Sequence, residues 1–488
     1  MQNFDARENL MDDTYFSAQD LAVACRGRWI SDTAQGLCVS SISTDSRADC
    51  TGSIFFAVKG ENFDGHDFVD AAMSNGASAV CIGEANVQRF AGLRVPVLMV
   101  PDVLKAYQDI AFFHRMRMQD LIVVGITGSS GKTSTKEILK TLFVKAFGES
   151  SVYATEGNTN NHVGVPRNLL KLNRHHRFAV IEMGSNHSGE IEVLTMIARP
   201  NLAIISSVGS SHLEFFDTVE NVAREKGAIF KGLMPSKMNN ALPVAVIPAD
   251  SAHLKILADF AGGSRKLTFG SAGDVDMKIV FIRSGLDGSE FILEWKNGTR
   301  EKVKWPVPGR HQAANAAGAA LVASSVGISP DKIAESLPEC RLPGMRSRAK
   351  VSNGITWIND AYNANPDSMR AAIDWLADSM SEKKIPADSG TTVVVLGDMF
   401  ELGENTPRLH RDVLEYAISR LGTIATIIVV GGHMVDAFRS LEGKPAGVKC
   451  LQSQAECVSL LKNILKPGDI VFLKASRGMK LETVENSF

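Results

Sequence analysis

The chain has 488 residues, 44% hydrophobic and 22% charged, with 52 Lys and Arg against 54 Asp and Glu for a net charge of -2. That length exceeds what one hydrophobic core organises and predicts about three domains, while the near-neutral balance excludes a bulk attraction to nucleic acid. Seven scattered cysteines with no C-x-x-C pair, a polar acidic start ("MQNFDARENLMDDTYF") and no apolar run of bilayer length predict a cytoplasmic chain with no membrane partner.

From Phe16 to Val100, strand-like runs ("SIFFAVKG", "ASAVCIG", "VPVLMV") alternate with helical stretches ("SAQDLAVACRG", "HDFVDAAMSNG"), which predicts a small α/β domain over residues 1–100. Residues 101–340 form the second predicted domain. It opens on an amphipathic helix, "VLKAYQDIAFFHRM", that leads into the apolar run "LIVVG" and then "GITGSSGKTS", Gly125 to Ser134. A strand ending in glycines lets backbone N–H groups curl around phosphate oxygens, and a helix starting near Gly131 directs its positive end at them. Gly128, Ser129, Ser130, Gly131 and Ser134 frame the loop, Lys132 reaches the β- and γ-phosphates, and the Thr133 hydroxyl ligates magnesium. The general G-x-x-x-x-G-K-[ST] pattern wants glycine where Ile126 stands.

Two further strand-then-polar-loop units, "RFAVIEMGSNHSGE" and "NLAIISSVGSSHLE", predict a parallel sheet with ligands at the carboxyl ends of its strands. Glu182 ends the first strand, where it is either a solvated edge residue or, beside a phosphate loop, a magnesium ligand. His212 follows the second, either as a structural hydrogen bonder or as an acceptable second-metal ligand. Lys226, in "NVAREKGAIF", reads by itself as a surface lysine on a helix. Residues 275–305 alternate apolar and polar positions around Asp287-Gly288 and Asn297-Gly298, which predicts an antiparallel flap on the sheet. After the alanine-rich helix in "PGRHQAANAAGAALVASSVG", residues 341–488 carry the strands "TTVVVLGD", "ATIIVVGG" and "DIVFLKAS" of a third, Rossmann-like doubly wound domain.

Together these motifs resemble the Mur ligase superfamily, ATP-dependent amide-forming ligases of peptidoglycan precursor synthesis. The family's phosphate loop is of the "TGSSGKTS" type without the early glycine, which accounts for Ile126. The resemblance implies that Lys132 and Thr133 serve the nucleotide loop and that Glu182 and His212 ligate magnesium, with two metal sites expected. It implies that Lys226 is carbamylated and joins the metal ligands, that Asn315 lies near the adenine, and that Arg346 and Asp360 reach the nucleotide from the third domain. Lys132, Glu182, His212 and Lys226 are thereby the catalytic candidates.

"DAYNANPDSM" (Asp360 to Met369), "LGDMFELGE" (Leu396 to Glu404) and "GNTNNHVGVP" (Gly157 to Pro166) resemble the branch that joins D-alanyl-D-alanine to UDP-N-acetylmuramoyl-tripeptide. "STDSR" resembles that branch's uridine-nucleotide domain and implies substrate contacts at Thr44, Asp45, Ser46 and Arg47, with Asn160 and Asn161 in the central loop. The implied partners are ATP and those two substrates, handled by a monomer. Gln312, His162, Pro248 and Ala475 depart from the family pattern. The implied chemistry is phosphorylation of the tripeptide carboxylate by ATP and attack of the dipeptide amine on the acyl phosphate, with no side chain that reads as a general base. Another ligase of the superfamily, one that forms the tripeptide or a folylpolyglutamate synthetase, is the alternative within this chemistry; a P-loop ATPase or GTPase switch and a silent scaffold are those outside it.

Overall fold

The structure, a computed structural model, describes residues 15–30, 34–236, 241–343, 348–381, 390–443, 445 and 447–488. Arg346 therefore lies outside the described residues. Among the described residues there are four β-sheets, one in each of three α/β units and a small two-stranded pairing of Phe16–Ser17 with Cys38–Val39. The α/β class predicted from the alternating runs is the class found.

The first unit has the strand order Arg28–Trp29, Val97–Val100, Ala79–Gly83, Ser53–Phe56, Ser41–Ser43, parallel apart from the Arg28–Trp29 edge. In the central sheet Ile122–Thr127 lies between Phe178–Glu182 and Leu202–Ile205, all parallel. Val152–Ala154 flanks one side, while Val244–Pro248 and Arg265–Gly270 continue the other. Met277–Gly285, Gly288–Trp295 and Arg300–Trp305 then add the antiparallel flap. In the third sheet Ile355–Asn359, Ile470–Lys474, Thr392–Gly397, Thr426–Val430 and Val448–Leu451 run parallel, with Arg348–Ser352 as an antiparallel edge.

The central sheet is buried on both faces, which is why its strands read as continuous apolar runs rather than alternating ones. Val124, Val180 and Ile204 point to a cluster with Ile138, Leu142 and Ala316, on the helices Lys132–Phe147 and Arg310–Ser325. Val123, Ile181 and Ile205 point oppositely, to Leu194, Ile197 and Ile229. The alanine-rich face of Arg310–Ser325 allows close approach: a Cβ on Gly318 would stand 2.8 Å from the Ile204 side chain. Register then fixes the functional edge, because Glu182 stands opposite Ile126 and Ile205 opposite Thr127, so the strands end together. None of the seven cysteines is in a disulfide, and among the described residues no helix is long and apolar enough to cross a membrane.

The helix Val103–Arg117, which the sequence places at the opening of the second domain, packs against two cores. Val103, Ala106, Tyr107 and Ile110 complete the first sheet's core with Phe56 and Leu98, whereas Ala111 joins Leu169 and Ile197 of the central one. Its buried Arg115 donates to the carbonyls of Ala198 at 3.1 Å, Met118 at 2.9 Å and Arg199 at 3.1 Å, satisfying the end of the helix Glu190–Ala198. Each large apolar side chain buried this way is worth roughly 1.5–3 kcal/mol. A chain cut to begin at Pro101 is therefore expected to bind a hydrophobic dye and self-associate, and the substitutions Val103→Gln, Tyr107→Gln and Ile110→Gln to suppress both in light scattering. Equal dye binding with and without them would contradict this packing.

Candidate active site

The buried strand Ile122–Thr127 ends at a loop whose path only small residues allow. Gly131 has φ 83°, and a Cβ there would fall 2.3 Å from Asn315 Oδ1; one on Gly128 would fall 2.2 Å from Ser206 Oγ. Gly131 is the N-cap of Lys132–Phe147, and no side chain caps that helix start, which suits a first turn directed at an anion. The loop is braced by the neighbouring strand's end: Ser129 N–H donates to Ser207 O and Ser130 N–H to Ser207 Oγ, each at 2.9 Å. Lys132 Nζ folds back to donate to Gly128 O at 2.6 Å, and Ser134 is buried in the first helical turn.

Glu182 is 1% exposed at the end of its strand. Its Oε1 accepts from Asn160 Nδ2 at 2.9 Å and from Thr133 Oγ1 at 3.3 Å, while its Oε2 is buried with no hydrogen-bond partner. A buried anionic oxygen left unmet is costly unless a cation meets it. Among the described residues no three His, Cys, Asp or Glu side chains gather into a closed metal cage. A carboxylate and a hydroxyl beside a phosphate loop are instead the sparse oxygen set that magnesium completes with phosphate and water, so Glu182 and Thr133 fit that ion.

Lys226, on the helix Val219–Gly227, is buried rather than on the surface, and its Nζ donates to Ser185 Oγ at 2.7 Å. Burial first, then the Lys132 cation, pulls its pKa down to about 7 against an upward pull from Glu225 and Glu190. His212 takes a left-handed φ of 52° before the short helix Leu213–Phe216. Its Nδ1 lies 2.5 Å from Glu401 Oε2, an ion-pair distance but off the direction of the ring N–H. That contact holds the Glu401 carboxyl below the usual range.

The third unit reaches this edge through "DAYNANPDSM". Asn365 Nδ2 donates to Ser130 Oγ at 3.1 Å, and Asp367 Oδ2 accepts from the Ser210 N–H at 2.6 Å. Asp360 is held by the buried Lys474 ammonium at 2.6 Å, with the His311 ring near both. Asn315 donates to Gln312 Oε1 at 3.0 Å, so the Gln312 departure tethers the asparagine beside the loop. In the first unit Asp45 and Arg47 form an exposed pair at 2.9 Å. The Arg47 hydrogen bonds lower the Asp45 pKa to about 2, with Arg167 of the central unit adding to the pull. Thr44 hydrogen-bonds to Tyr107, and the Ser46 carbonyl accepts from Asn75. Asn161 Oδ1 accepts from the Gly164 N–H at 2.9 Å, which starts the helix Gly164–Leu170.

Residues 39–115 match the Mur ligase family catalytic domain, 126–323 the Mur ligase middle domain and 345–477 the Mur ligase glutamate ligase domain. The chain is 33% identical to the UDP-N-acetylmuramoyl-tripeptide--D-alanyl-D-alanine ligase of Haemophilus influenzae over 96% of its own length and 97% of that relative's. The chain belongs to the Mur ligase family. Among solved structures, this Mur ligase matches MurF from Acinetobacter baumannii with a TM-score of 0.86 at 30% identity, covering 97% of this chain and 98% of that one. It matches MurF ligase from Thermotoga maritima, solved in complex with ADP, with a TM-score of 0.77 at 27% identity over 92% and 96% of the two chains.

The structure brings Lys132, Thr133, Glu182, Asn160 and Asn315 to one sheet edge, with Lys226 close enough to Lys132 to feel its charge. Thr44 to Arg47 lie on the first unit, with Arg167 as the link to the central one. Sequence reasoning assigned no role to Ser185, His311, Asn365, Asp367, Glu401 or Lys474. Asn365, Asp367 and Glu401 lie within motifs it singled out, but only the folded chain shows what they touch.

His311 gives this Mur ligase a pH signature. Burial above all pulls its pKa down to about 4, with Asp360 opposing and Lys474 reinforcing. Since the unfolded imidazole titrates near 6.5, the unfolded state binds more protons between these values, and stability rises with pH across that window. Part of the residue reaches the surface although Nδ1 is buried, so the full effect is on the order of 1–3 kcal/mol. The advantage of wild type over His311→Gln is expected to shrink as pH falls from 6.5 towards 4. A pH-independent difference in urea midpoints would refute a neutral buried imidazole.

Proposed function

We propose that this chain is an ATP-dependent ligase that joins D-alanyl-D-alanine to UDP-N-acetylmuramoyl-tripeptide, acting as a monomer in the cytoplasm. The observation that carries the reading is the buried Glu182 with one oxygen unmet, beside Thr133 and a glycine-framed helix start. Its counterpart is the third unit's loop, which reaches this edge through Asn365 and Asp367. Residues 1–100 hold the uridine nucleotide through Thr44, Asp45, Ser46 and Arg47, residues 101–340 hold ATP, and residues 341–488 bring the dipeptide.

The backbone of Gly128 to Ser134 cradles the phosphates, and Lys132 exchanges its Gly128 carbonyl for the β- and γ-phosphates. Glu182 and Thr133 hold one magnesium ion; His212 and a carbamylated Lys226 hold a second. Bound there, magnesium neutralises charge on the migrating phosphoryl group. Asn160 fixes the Glu182 carboxylate, Asn161 shapes the loop under the tripeptide, and Asn315 lies against the adenine. Asp360, held by Lys474, reaches the nucleotide from the third unit. The tripeptide carboxylate attacks the γ-phosphorus and ADP leaves; the dipeptide amine then attacks the acyl carbon, the C–O bond breaks as phosphate takes its electron pair, and the amine's proton passes to water. Asn365 and Asp367, which touch Ser130 and Ser210, keep water from the acyl phosphate by holding the third unit over the loop.

Lys226 suits carbamylation because a buried amine titrating near 7 is substantially neutral at physiological pH. The free amine attacks carbon dioxide, an N–C bond forms, one proton is released, and an anionic oxygen ligand replaces a cation. Lys226→Ala is expected to lose turnover and to regain part of it with added short carboxylic acids. Full activity without them would remove the carbamate from the site.

The decisive assay is phosphate release with ATP, the tripeptide nucleotide and D-alanyl-D-alanine, omitting one component at a time. Stoichiometric phosphate and product are expected only from the complete mixture. Equal phosphate without the dipeptide would favour a hydrolytic switch. Lys132→Ala is expected to fold normally and to lose about 100-fold or more in kcat, by analogy with removal of a preorganised charge-stabilising group.

A further inference from the structure

The residues Asp398 to Gly403 follow the strand Thr392–Gly397 and cross to the central unit, where they seat against the His212 turn. Glu401 Oε2 lies 2.5 Å from His212 Nδ1, and the Glu401 carbonyl accepts from the Glu214 N–H at 3.1 Å. Met399 and Leu402 share an apolar cluster with Leu213 and Phe216. Gly403 comes so near that a Cβ on it would stand 2.9 Å from Glu214 Cα. Both sides of the contact are strained, with φ 52° at His212 and 62° at Glu401. Such left-handed non-glycine conformations persist where the surroundings over-determine them.

We propose that Glu401 is a positioning residue: from the third unit it holds the Nδ1 side of His212, so that Nε2 is presented to magnesium only when the two units are docked. The inference rests on the reading of His212 as a magnesium ligand and adds to it a carboxylate supplied by another unit. A carboxylate beside Nδ1, even off the N–H direction, favours the tautomer protonated there and so leaves the Nε2 lone pair for the metal. Loss of such a partner typically costs 10–100-fold in metal affinity. Because the partner belongs to the third unit, whatever strengthens metal binding also strengthens docking, by the same factor. A simple latch between the units would hold them together without altering the histidine's bond to the metal.

The test uses manganese in place of magnesium on the full-length protein loaded with a non-hydrolysable ATP analogue. Electron paramagnetic resonance measures manganese affinity, and nitrogen modulation of the spin echo reports a coordinated imidazole. His212→Ala is expected to abolish the modulation and weaken one manganese site. Glu401→Ala is expected to weaken that same site by about 10-fold or more and to reduce the modulation. Glu401→Gln, which preserves shape, is expected to give a smaller loss in the same direction, and it decides the matter if the alanine variant fails to fold. The double variant should bind manganese no worse than His212→Ala alone, since the two residues act through one bond. An unchanged metal site in His212→Ala would overturn the ligand reading and this inference with it. A weakened site in His212→Ala with wild-type affinity and modulation in the folded Glu401 variants would overturn the role of Glu401 alone.

Discussion

A carboxylate buried at the end of a parallel strand with one oxygen unmet is the constraint on which the site depends. Thr155 Oγ1 accepts the Glu182 N–H at 2.9 Å, and Asn160 and Thr133 share a single carboxylate oxygen. The side chain is thus fixed before any ligand arrives, and the remaining oxygen is held out of water. Removing one partner from a buried ion pair costs about 3–5 kcal/mol. A site built with the partner omitted carries a standing penalty of that kind, and relieving it contributes to cation binding. The sheet makes the arrangement possible, because register ends Ile122–Thr127, Phe178–Glu182 and Leu202–Ile205 side by side.

The same edge brings two lysines within reach of each other's charge. Lys226 is buried, contacts the face of Phe216 at 5.5 Å and feels Lys132, while Lys132 folds back onto a loop carbonyl. Two cations sharing a poorly solvated site lower one another's proton affinity, and the one farther from solvent yields first. Lys226 is that one: burial first, then the Lys132 charge, brings its pKa down to about 7, so a residue that reads as a surface lysine gives up its proton readily. An incoming triphosphate would add negative charge beside both amines and raise their proton affinity. Binding of phosphate and the ionisation of these amines are therefore one coupled equilibrium rather than separate events.

What was legible in the sequence follows the range over which each interaction acts. The phosphate loop and its helix could be read directly, because glycine spacing, the Lys-Thr pair and the flanking apolar run all act within a few turns of chain. Glu182 was legible as a strand end, since a buried parallel strand announces its length by its apolar run. The flap was legible from Asp287-Gly288 and Asn297-Gly298, which mark turns between alternating segments. His212 and Lys226 were not, because neither an imidazole after a strand nor a lysine on an amphipathic helix differs locally from a structural one. The resemblance raised them, and burial of Lys226 is what the local pattern could not express. Glu401, Asn365 and Asp367 act across 157 residues or more of chain separation, or nearly two hundred in the case of Glu401, where local spacing carries no information. The helix Val103–Arg117 shows the complementary failure: a single amphipathic stripe predicts one buried face, whereas two cores share this helix along its length.

That sharing bears on how three units can serve one reaction. The first unit is joined to the central one by a helix that packs into both cores, and a relative motion there would have to expose Tyr107 or Ala111. The third unit touches the central one through a different kind of junction. Its contacts at the phosphate loop are polar, one amide to Ser130 and one carboxylate to the Ser210 N–H, and beside them lie the ion pairs His212–Glu401 and Arg310–Asp378 and an apolar seat that includes Leu213, Phe216 and Val222. Interfaces of this mixed kind open and close more readily than continuous cores. The first unit is thus held firmly against the central one, and the third unit is the one placed to move. The unit able to move is thus the one whose contacts meet at the phosphate loop, where Asn365 and Asp367 touch Ser130 and Ser210.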